Sequence, residues 1–428
     1  MGAPTAHIDV DAARSSLASA CEEVREATAG DGVDGVQPAL VARPGSTEEV
    51  AGVLRAAAAT GLTVVARGRG TKLTWGAPPE RADLVVDLGR MDAVLDHAAG
   101  DLIVEAQAGA PLALVQETVA GAGQRLGIDD PVGGSSVAGA LATNLSGPRR
   151  MSMGSARDLL IGVTIVRADG VVAKAGGRVV KNVAGYDLGK LVIGSFGTLA
   201  IVTQAVFRLH PLPAVQRLVT VSFDQPEEAQ RLVQQVLHAQ LVPAAIEVEW
   251  PAEGPGRLEV LLEGIETGVE RRAAAAVALL GGAAENEQAP AAGWGTLPWL
   301  PAGDGDARPT ALKVTFPLSG LARVLATART AAADAGVALL LRGSAGVGVV
   351  HGAIPAGADP AAVADVVNRL RAACTALGGS LVVLDGEAAV KGAVDQWGPV
   401  PAIDLMRRVK AQFDPERRLA PGRFVGGI

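Results

Sequence analysis

The spacing of apolar residues alternates along the chain between a helical period and short continuous runs, which predicts a mixed α and β structure. Between residues 50 and 58 the apolar side chains recur every three or four positions, as on one face of a helix. Ser46 and Glu49 precede this face as a Ser-x-x-Glu capping box, and Gly61 follows it as a helix end. The apolar run 62–66 then predicts a buried strand.

Similar signals continue to about residue 209. Apolar runs predict strands at 83–87, 102–106 and 199–209, and Pro111 opens a predicted helix that ends near residue 121. Asp169-Gly170 joins the runs 160–168 and 171–174 as a predicted hairpin, since this dipeptide suits the positive φ angles of a tight turn. At the start of the chain, a predicted helix over 10–27 and a Gly/Asp-rich link over 30–35 form either an interaction arm or a packed leader.

Beyond Pro211 and Pro213 strand and helix patterns alternate, which predicts a second α+β domain. Its loop 285–309 is polar, rich in Gly and Pro, and contains Trp294 and Trp299, so it is either mobile or docked on a partner. A last helix over 402–413 leads into a basic tail that we expect to return to the first domain. The predicted division is an N-terminal helical leader (1–38), a first domain (39–213), a second domain (214–400) and a C-terminal helix and tail (401–428).

Composition excludes several classes of protein. With 428 residues, of which 49% are hydrophobic and 19% charged, the chain can bury a large core in two or three domains. A net charge of −7 gives no general attraction for nucleic acid or anionic lipid. The two cysteines, far apart in sequence, indicate neither a disulfide scaffold nor a metal–sulfur site and favour the reducing cytoplasm. No uncharged apolar run reaches the roughly 18 to 20 residues that cross a bilayer, so we expect membrane association only through partners.

Glycine and small polar residues are concentrated in two segments. Residues 130–154 include the pair Gly133-Gly134, where the backbone can approach a flat ligand closely, and also Thr143 and Asn144, which can hydrogen-bond the edge of a heteroaromatic ring. Earlier, the predicted strand 62–66 runs directly into Arg67-Gly68-Arg69-Gly70-Thr71-Lys72, a basic turn whose amides suit a pyrophosphate. The turn matches neither the dinucleotide fingerprint nor the P-loop spacing, and an ordinary surface turn is the alternative.

Together with Arg157-Asp158 and the segments 176–188 and 194–199, these motifs stand in the order found in a known group of flavoproteins. The chain resembles the FAD-binding subunits of bacterial glycolate oxidase, which belong to the vanillyl-alcohol-oxidase-like flavoproteins with a PCMH-type FAD domain. The resemblance covers residues 41–213 and, more weakly, Phe413-Asp414-Pro415 and Pro421-Gly422-Arg423. It implies an α+β fold with a two-part PCMH-type FAD-binding domain over 39–213, an α+β cap domain over 214–400, and a C-terminal segment that returns to the FAD-binding domain.

The resemblance also implies which residues hold FAD. The basic turn would hold the pyrophosphate, residues 131–144 would lie along the flavin and ribityl chain, and later glycines would complete the pocket. The residues assigned in this way are Arg67, Gly68, Arg69, Gly70, Thr71, Lys72, Pro131, Gly133, Gly134, Ser135, Gly139, Thr143, Asn144, Gly147, Gly154, Gly197, Ile201 and Val202. Members that attach FAD covalently often use a histidine in the first glycine turn. Because Thr71 and Lys72 stand in that place here, we expect non-covalent FAD.

Candidates for substrate chemistry are fewer. Related catalytic subunits carry the metal motif Gly-His-x-Gly-Asp-Gly-Asn-x-His in the cap domain, whereas residues 341–351 of this chain offer a single histidine. A metal ion needs several converging ligands, so we predict no metal. Oxidation of a 2-hydroxy acid needs a cation for the carboxylate and a base for the hydroxyl. Arg342, His351 and Tyr186 are the candidates, with a strand salt bridge, a structural histidine and a loop anchor as the respective alternatives.

The function implied by the resemblance is FAD-dependent oxidation of glycolate, or another small 2-hydroxy acid, in a complex. The expected partners are a metal-containing catalytic flavoprotein subunit and an iron–sulfur subunit, since this chain lacks the cysteines for a cluster. Two alternatives stay open. The first is a subunit that holds FAD but has no substrate chemistry, which is favoured by the absent metal motif and by Ala420 in place of the usual asparagine. The second is an independent FAD-dependent oxidase or dehydrogenase of a sugar or alcohol. Arg149, Arg150 and Arg157 are expected to contact cofactor phosphate or a partner.

Overall fold

The computed structural model describes residues 9–178, 186–281, 285–288, 290–291, 293–300 and 308–428. In its first half short helices and strands alternate. The helices are α1 (Val10–Ala18), α2 (Thr47–Thr60), α3 (Leu112–Ala120), α4 (Val137–Thr143), α5 (Arg150–Met153), α6 (Ala156–Leu159) and α7 (Leu188–Val192). The strands are β1 (Val24–Glu26), β2 (Leu40–Ala42), β3 (Val64–Arg67), β4 (Leu84–Asp87), β5 (Val94–Ala98), β6 (Ile103–Gln107), β7 (Gln124–Arg125), β8 (Leu160–Val166), β9 (Val172–Gly176), β10 (Ile201–Arg208) and β11 (His210–Pro211).

These strands form two main sheets that share one core. The first has the order β1-β2-β4-β3, with parallel pairing of β4 to both β2 and β3, and the second is antiparallel with the order β5-β6-β10-β8-β9. Helix α2 begins and ends as its sequence predicts. The Ser46 hydroxyl accepts a hydrogen bond from the Glu49 amide at 3.1 Å, and Gly61 ends the helix with a φ of 70°. The hairpin of β8 and β9 turns at Asp169-Gly170, where Gly170 has a φ of 77°.

The second half is built around one eight-stranded sheet with the order β15-β12-β14-β13-β17-β18-β16-β19. Its strands are β12 (Val215–Phe223), β13 (Ala245–Trp250), β14 (Gly256–Gly264), β15 (Glu285–Glu287), β16 (Thr310–Thr315), β17 (Leu340–Ser344), β18 (Val349–Ile354) and β19 (Ser380–Asp385). Its helices are α8 (Pro226–His238), α9 (Glu266–Leu280), α10 (Leu321–Ala335), α11 (Pro360–Ala376) and α12 (Ala388–Ala393), and α13 (Ile403–Phe413) follows them in the chain.

The two faces of this sheet differ in chemistry. One face is apolar and packs against the helices in a second core that includes Val248, Leu312 and Val350. Because side chains alternate between the faces of a strand, the neighbouring residues Glu247 and Lys313 lie on the opposite face. At one end of that opposite face, Ala311 belongs to the core of the first half. The polar face of the eight-stranded sheet therefore lies against the first half of the molecule.

The C-terminal tail returns to the first half, as the sequence predicts. The Val64 amide in β3 donates to the Arg418 carbonyl at 2.7 Å, and the Ala420 amide donates back to the Val64 carbonyl at 2.8 Å. Ala420 is buried and has a φ of 41°, in the left-handed region where asparagine or glycine is more usual. At Ala420, where the family usually has asparagine, the backbone amide therefore pairs with β3.

Two local predictions differ from the structure. The first helix ends at Ala18, and residues 24–26 of its predicted extent form β1, which pairs with β2. Leu17 is buried in the core of the first half, so residues 10–26 form a packed leader rather than an arm. In the predicted loop 285–309, Glu285–Glu287 pairs as a strand with β12, and Trp299 packs edge-on against Trp75 with ring centroids 6.1 Å apart. The described parts of this loop are docked within the chain, whereas the predicted domain boundaries stay a prediction.

The tail is held by a buried ion pair at the end of α13. Lys410 Nζ lies 2.7 Å from Asp414 Oδ2 and donates to the carbonyls of Thr198 and Leu419 at 2.7 and 3.0 Å. Asp414 also accepts hydrogen bonds from the amides of Arg418 and Leu419. Both charged groups therefore have partners although they are buried, which is the condition under which such a pair is tolerated.

We predict that Lys410→Met destabilises the protein by about 3 kcal/mol, because it leaves Asp414 buried without its counter-ion. The measurement is the midpoint of urea unfolding of the purified protein. Lys190→Met is the matched control, since Lys190 pairs with Asp187 at 2.9 Å but both side chains are more than half exposed. The control should cost less than about 1 kcal/mol. Equal losses in the two variants would contradict the assignment of Lys410 as the anchor of the tail.

Candidate functional site

An open cavity lies where the basic turn after β3 faces α4 and the chain before β10. It brings together ten of the residues assigned to FAD from the sequence. They are Gly68, Arg69, Gly70, Thr71, Lys72, Gly139, Thr143, Gly197, Ile201 and Val202. Lining residues that were not assigned include Ser136, Ser195, Phe196 and Arg423. Arg423, Ser195 and Phe196 belong to motifs noted in the sequence, although none of the three was assigned to the cofactor.

Gly68 allows the basic turn to approach α4, and Gly139 leaves room for the Ser136 hydroxyl that caps this helix. A Cβ atom at Gly68 would lie 2.1 Å from Ser136 Oγ, and one at Gly139 would lie 2.9 Å from the same atom. Gly70 has a φ of 76°, which side chains rarely adopt. The cavity is thus bordered by backbone and small side chains, which suits a long ligand held by many short contacts.

The cationic groups of the basic turn have different surroundings. Lys72 is buried and donates from Nζ to Ser135 Oγ at 2.7 Å and to Thr71 Oγ1 at 2.9 Å. Burial lowers the pKa of Lys72 to about 8, although Asp130 acts in the opposite direction. Arg67 instead forms ion pairs with Asp87 at 2.7 Å and Asp31 at 3.1 Å. Arg67 therefore fixes the end of β3 and does not line the cavity.

Other assigned residues shape the chain around the cavity. Gly133 and Gly134 have φ angles of 77° and 71°, and Ser135 donates to Asp130 at 2.6 Å. Gly147 and Gly154 permit close packing, because a Cβ atom would lie 2.5 Å from that of Asp129 at the first position and 2.7 Å from that of Asp158 at the second. Pro131 and Gly147 line a second, smaller cavity.

The residues present fit a bound flavin nucleotide. Asn144 ends α4 with a φ of 50°, and its side-chain oxygen is buried without a hydrogen-bond partner among the described residues. The hydroxyl oxygen of Ser146 is also buried without a hydrogen-bond partner among the described residues. Buried polar atoms are normally paired, so these two atoms indicate a polar ligand next to α4.

The second cavity lies between the segment 146–150 and the polar face of the eight-stranded sheet. Arg342 and His351, two of the three catalytic candidates, line it together with Arg150, Glu247 and Ser344. Arg342 is ion-paired, since its Nε lies 2.7 Å from Glu249 Oε2. The structure therefore has at Arg342 the strand salt bridge that the sequence left as an alternative.

The titratable groups of the second cavity have shifted pKa values. Burial lowers the pKa of His351 to about 3, and the positive charges of Lys313 and Arg150 act in the same direction. Burial raises the pKa of Glu247 to about 8, against the effect of a hydrogen bond from the Ser344 hydroxyl. At neutral pH, His351 is a neutral imidazole and Glu247 is largely a neutral acid. Arg150 has no carboxylate within 4 Å among the described residues, whereas Arg149 pairs with Asp129 and Glu263.

The remaining candidates lie elsewhere. The Tyr186 side chain is 93% exposed and is part of neither cavity. It follows residues 179–185, and this part of the glycine-rich motif, with Lys181 and Asn182, lies outside the described residues. Across the described ranges, no three His, Cys, Asp or Glu side chains are grouped as a metal site would require. The absence of a metal and the non-covalent attachment of FAD stay predictions.

Both halves of the chain are similar to known proteins. Residues 38–176 match the family model "FAD binding domain", and residues 250–424 match "FAD linked oxidases, C-terminal domain". An uncharacterized FAD-linked oxidoreductase of Mycobacterium tuberculosis is 31% identical over 91% of this chain and 91% of its own length. The chain belongs to the FAD-linked oxidoreductases. The predicted cofactor, FAD, and the predicted class, an FAD-dependent oxidoreductase, are thereby confirmed.

Other matches are more distant. Glycolate oxidase subunit GlcD of Bacillus subtilis is 31% identical over 49% of this FAD-linked oxidoreductase and 45% of the subunit. The solved structure of 4-ethylphenol oxidase from Gulosibacter chungangensis has a TM-score of 0.74 at 17% identity and covers 98% of both chains. The expected fold, with its two-part FAD-binding domain, cap and returning tail, is confirmed. No helix among the described residues is long and apolar enough to cross a membrane.

We predict that Gly68→Ala weakens FAD binding by at least about tenfold, because the new Cβ would clash with Ser136 Oγ and push the basic turn away from α4. Binding is measured as quenching of flavin fluorescence during titration of the apoprotein. Adding Ser136→Ala should restore part of the affinity, because the nearest remaining atom, the Cβ of residue 136, is 3.1 Å away. Gly100→Ala is the control, since a Cβ atom there meets nothing within 4 Å. Unchanged affinity in Gly68→Ala would contradict this placement of the cofactor.

We also predict that FAD affinity falls as pH rises above 8. In the apoprotein Lys72 loses its proton near pH 8, whereas a bound pyrophosphate would hold the proton on the ammonium. Binding at higher pH must therefore take up a proton, which lowers affinity by up to about tenfold per pH unit until the raised pKa of the complex is reached. Below pH 8 this contribution vanishes. Titrations with FAD between pH 7 and 9.5 measure how the affinity changes with pH. The Lys72→Met variant should show no such change above pH 8. A pH dependence that persists in this variant would exclude Lys72 as its source.

Proposed function

We propose that this FAD-linked oxidoreductase oxidises a small 2-hydroxy acid, with glycolate as the expected substrate and glyoxylate as the product. The observation that carries the proposal is the second cavity, in which Arg150, a cation without a carboxylate partner among the described residues, lies near the neutral imidazole of His351. The match to a glycolate oxidase subunit supports the same substrate class.

The chemistry requires a cation for the carboxylate and a base for the hydroxyl proton. Arg150 is our choice for the cation, in place of Arg342, because the charge of Arg342 is already compensated by Glu249. His351 is our choice for the base, because its neutral imidazole lines the cavity and a bound carboxylate would offset the charges of Lys313 and Arg150 that lower its pKa. Bound FAD would supply the acceptor for the hydride from the carbinol carbon. Tyr186 has no part in this proposal, since its side chain is exposed to solvent.

We further propose that the first cavity holds FAD through Gly68, Gly70, Lys72 and Gly139, and that electrons leave through partner proteins. The chain contains two cysteines, both buried, so it cannot supply the four thiolates of a common iron–sulfur cluster. An iron–sulfur subunit, together with a second, catalytic flavoprotein subunit, would complete the complex. We place this complex in the cytoplasm, where any membrane contact would be made by the partners.

The test is anaerobic mixing of the FAD-loaded protein with glycolate and with D-lactate in a stopped-flow spectrometer. We expect the absorbance of oxidised flavin to bleach in a single turnover. If the flavin stays oxidised with every 2-hydroxy acid, the proposal is wrong. Reduction by a sugar or simple alcohol would then identify the independent oxidase or dehydrogenase. Without any such reduction, an FAD-holding subunit becomes the better interpretation.

Within this proposal, Arg150→Gln should lower the second-order rate constant for flavin reduction by glycolate by about 10- to 100-fold, because a charge-assisted hydrogen bond to the carboxylate is lost. Stopped-flow traces at several glycolate concentrations measure this constant. Arg231→Gln is the control, because Arg231 is an exposed residue of α8 and should leave the constant unchanged. An Arg150→Gln variant that binds FAD and reduces at the rate of the control would remove Arg150 from the site.

A further inference from the structure

Four side chains form a row across the polar face of the eight-stranded sheet. The strand register pairs Glu249 with Arg342, Arg342 with His351, and His351 with Lys313. Residues directly opposite each other in antiparallel strands point to the same face, so the four side chains lie side by side. Lys313 thus stands next to the imidazole that lines the second cavity.

The charges along this row are not balanced. Glu249 neutralises Arg342 at one end, whereas no carboxylate among the described residues lies within 4 Å of the Lys313 ammonium at the other. Burial lowers the pKa of Lys313 to about 8, and the charge of Arg150 lowers it further. The guanidinium of Arg150 likewise lacks a carboxylate within 4 Å in the described part of the chain. Two cations with no carboxylate within 4 Å among the described residues therefore flank His351, and the charge of Asp158 acts on Arg150 only from beyond that distance.

A cation that is partly removed from water, as Lys313 and Arg150 are, destabilises the fold when no counter-ion is close. The neighbouring carboxyl group does not relieve this, because Glu247 is largely neutral at pH 7. The sheet itself supplies no negative charge directly beside Lys313. Its two strand partners are His351 and Val382, and neither carries a carboxylate. An anionic ligand next to His351 would therefore give Lys313 and Arg150 the close negative charge that they lack.

We propose that Lys313 is a specificity-determining residue that forms, with Arg150, a two-cation site selecting an anionic substrate over a neutral alcohol. The proposal rests on the proposed function and deepens it. The carboxylate would lie between the two cations, with the hydroxyl towards His351. In the reaction the hydroxyl proton would pass to His351, and bound FAD would supply the acceptor for the hydride, which takes the electron pair of the broken C–H bond. The charge of Lys313 then stabilises the oxygen from which the proton departs.

The test uses oxalate, an anion with no hydrogen to lose, so that binding is measured apart from turnover. Isothermal titration of the FAD-loaded protein should show oxalate binding that weakens by about tenfold or more in Lys313→Gln. Lys313→Arg keeps the charge and should bind within a few-fold of the wild type. Lys174→Gln is the control, because Lys174 is exposed on β9 and should not change binding. Thermal unfolding of each variant verifies that it is folded.

A measurement on the wild type keeps the inference testable if Lys313→Gln does not fold. Neutral oxamide, which is close to oxalate in shape, should bind at least about tenfold more weakly than oxalate. Equal binding of the two compounds, or oxalate binding that is unchanged in a folded Lys313→Gln variant, would overturn the inference while leaving glycolate oxidation untouched. Conversely, Lys313-dependent oxalate binding in a protein that no 2-hydroxy acid reduces would support the anion site and reject the proposed function.

Discussion

One buried guanidinium ties the last part of the chain to the turn that lines the cofactor cavity. Arg423 donates to the backbone carbonyls of Lys72, Leu73 and Trp75 at 2.9, 2.7 and 3.3 Å. Carbonyl groups in a turn have no strand partner, so this side chain satisfies several of them together. Burial lowers the pKa of Arg423 to about 10, against the effects of Asp34 and Asp385, yet the group stays charged at physiological pH. The conformation of the basic turn therefore depends on a residue about 350 positions further along the chain.

The same region joins the two halves of the molecule. Lys391 of α12 lies 2.7 Å from Asp34 in the leader and 3.3 Å from Asp385 in the eight-stranded sheet, and it also donates to the Gly76 carbonyl at 3.0 Å. Arg308 pairs with Asp34 at 2.7 Å. Because charges buried in such a network are costly to separate, the leader, the basic turn and the cap are held in one arrangement. That arrangement places the polar face of the sheet against the segment 146–150, where the second cavity forms.

The sequence predicts most of what depends on local rules. The cap of α2, the hairpin at Asp169-Gly170 and the basic turn follow from side chains near one another in the chain, and the family resemblance adds the returning tail. Long-range pairing was not predictable in this way. The ion pair of Arg342 with Glu249 depends on the register between two strands almost one hundred residues apart, and no periodicity reports that register. The location of Arg150 at the second cavity depends on the docking of the two halves, so its sequence neighbours Arg149 and Arg157 looked equivalent to it.

The pairing of β3 with the tail has a consequence for the order in which the protein matures. Strand β3 appears early during synthesis, but the groups that complete its edge, the Arg418 carbonyl and the Ala420 amide, are made more than 350 residues later. Until then the nascent chain carries an open strand edge and a basic turn without Arg423 to order it. We therefore expect the nucleotide site to be complete only once the whole chain has been made, and a chain interrupted within the cap to be released with this edge exposed to aggregation.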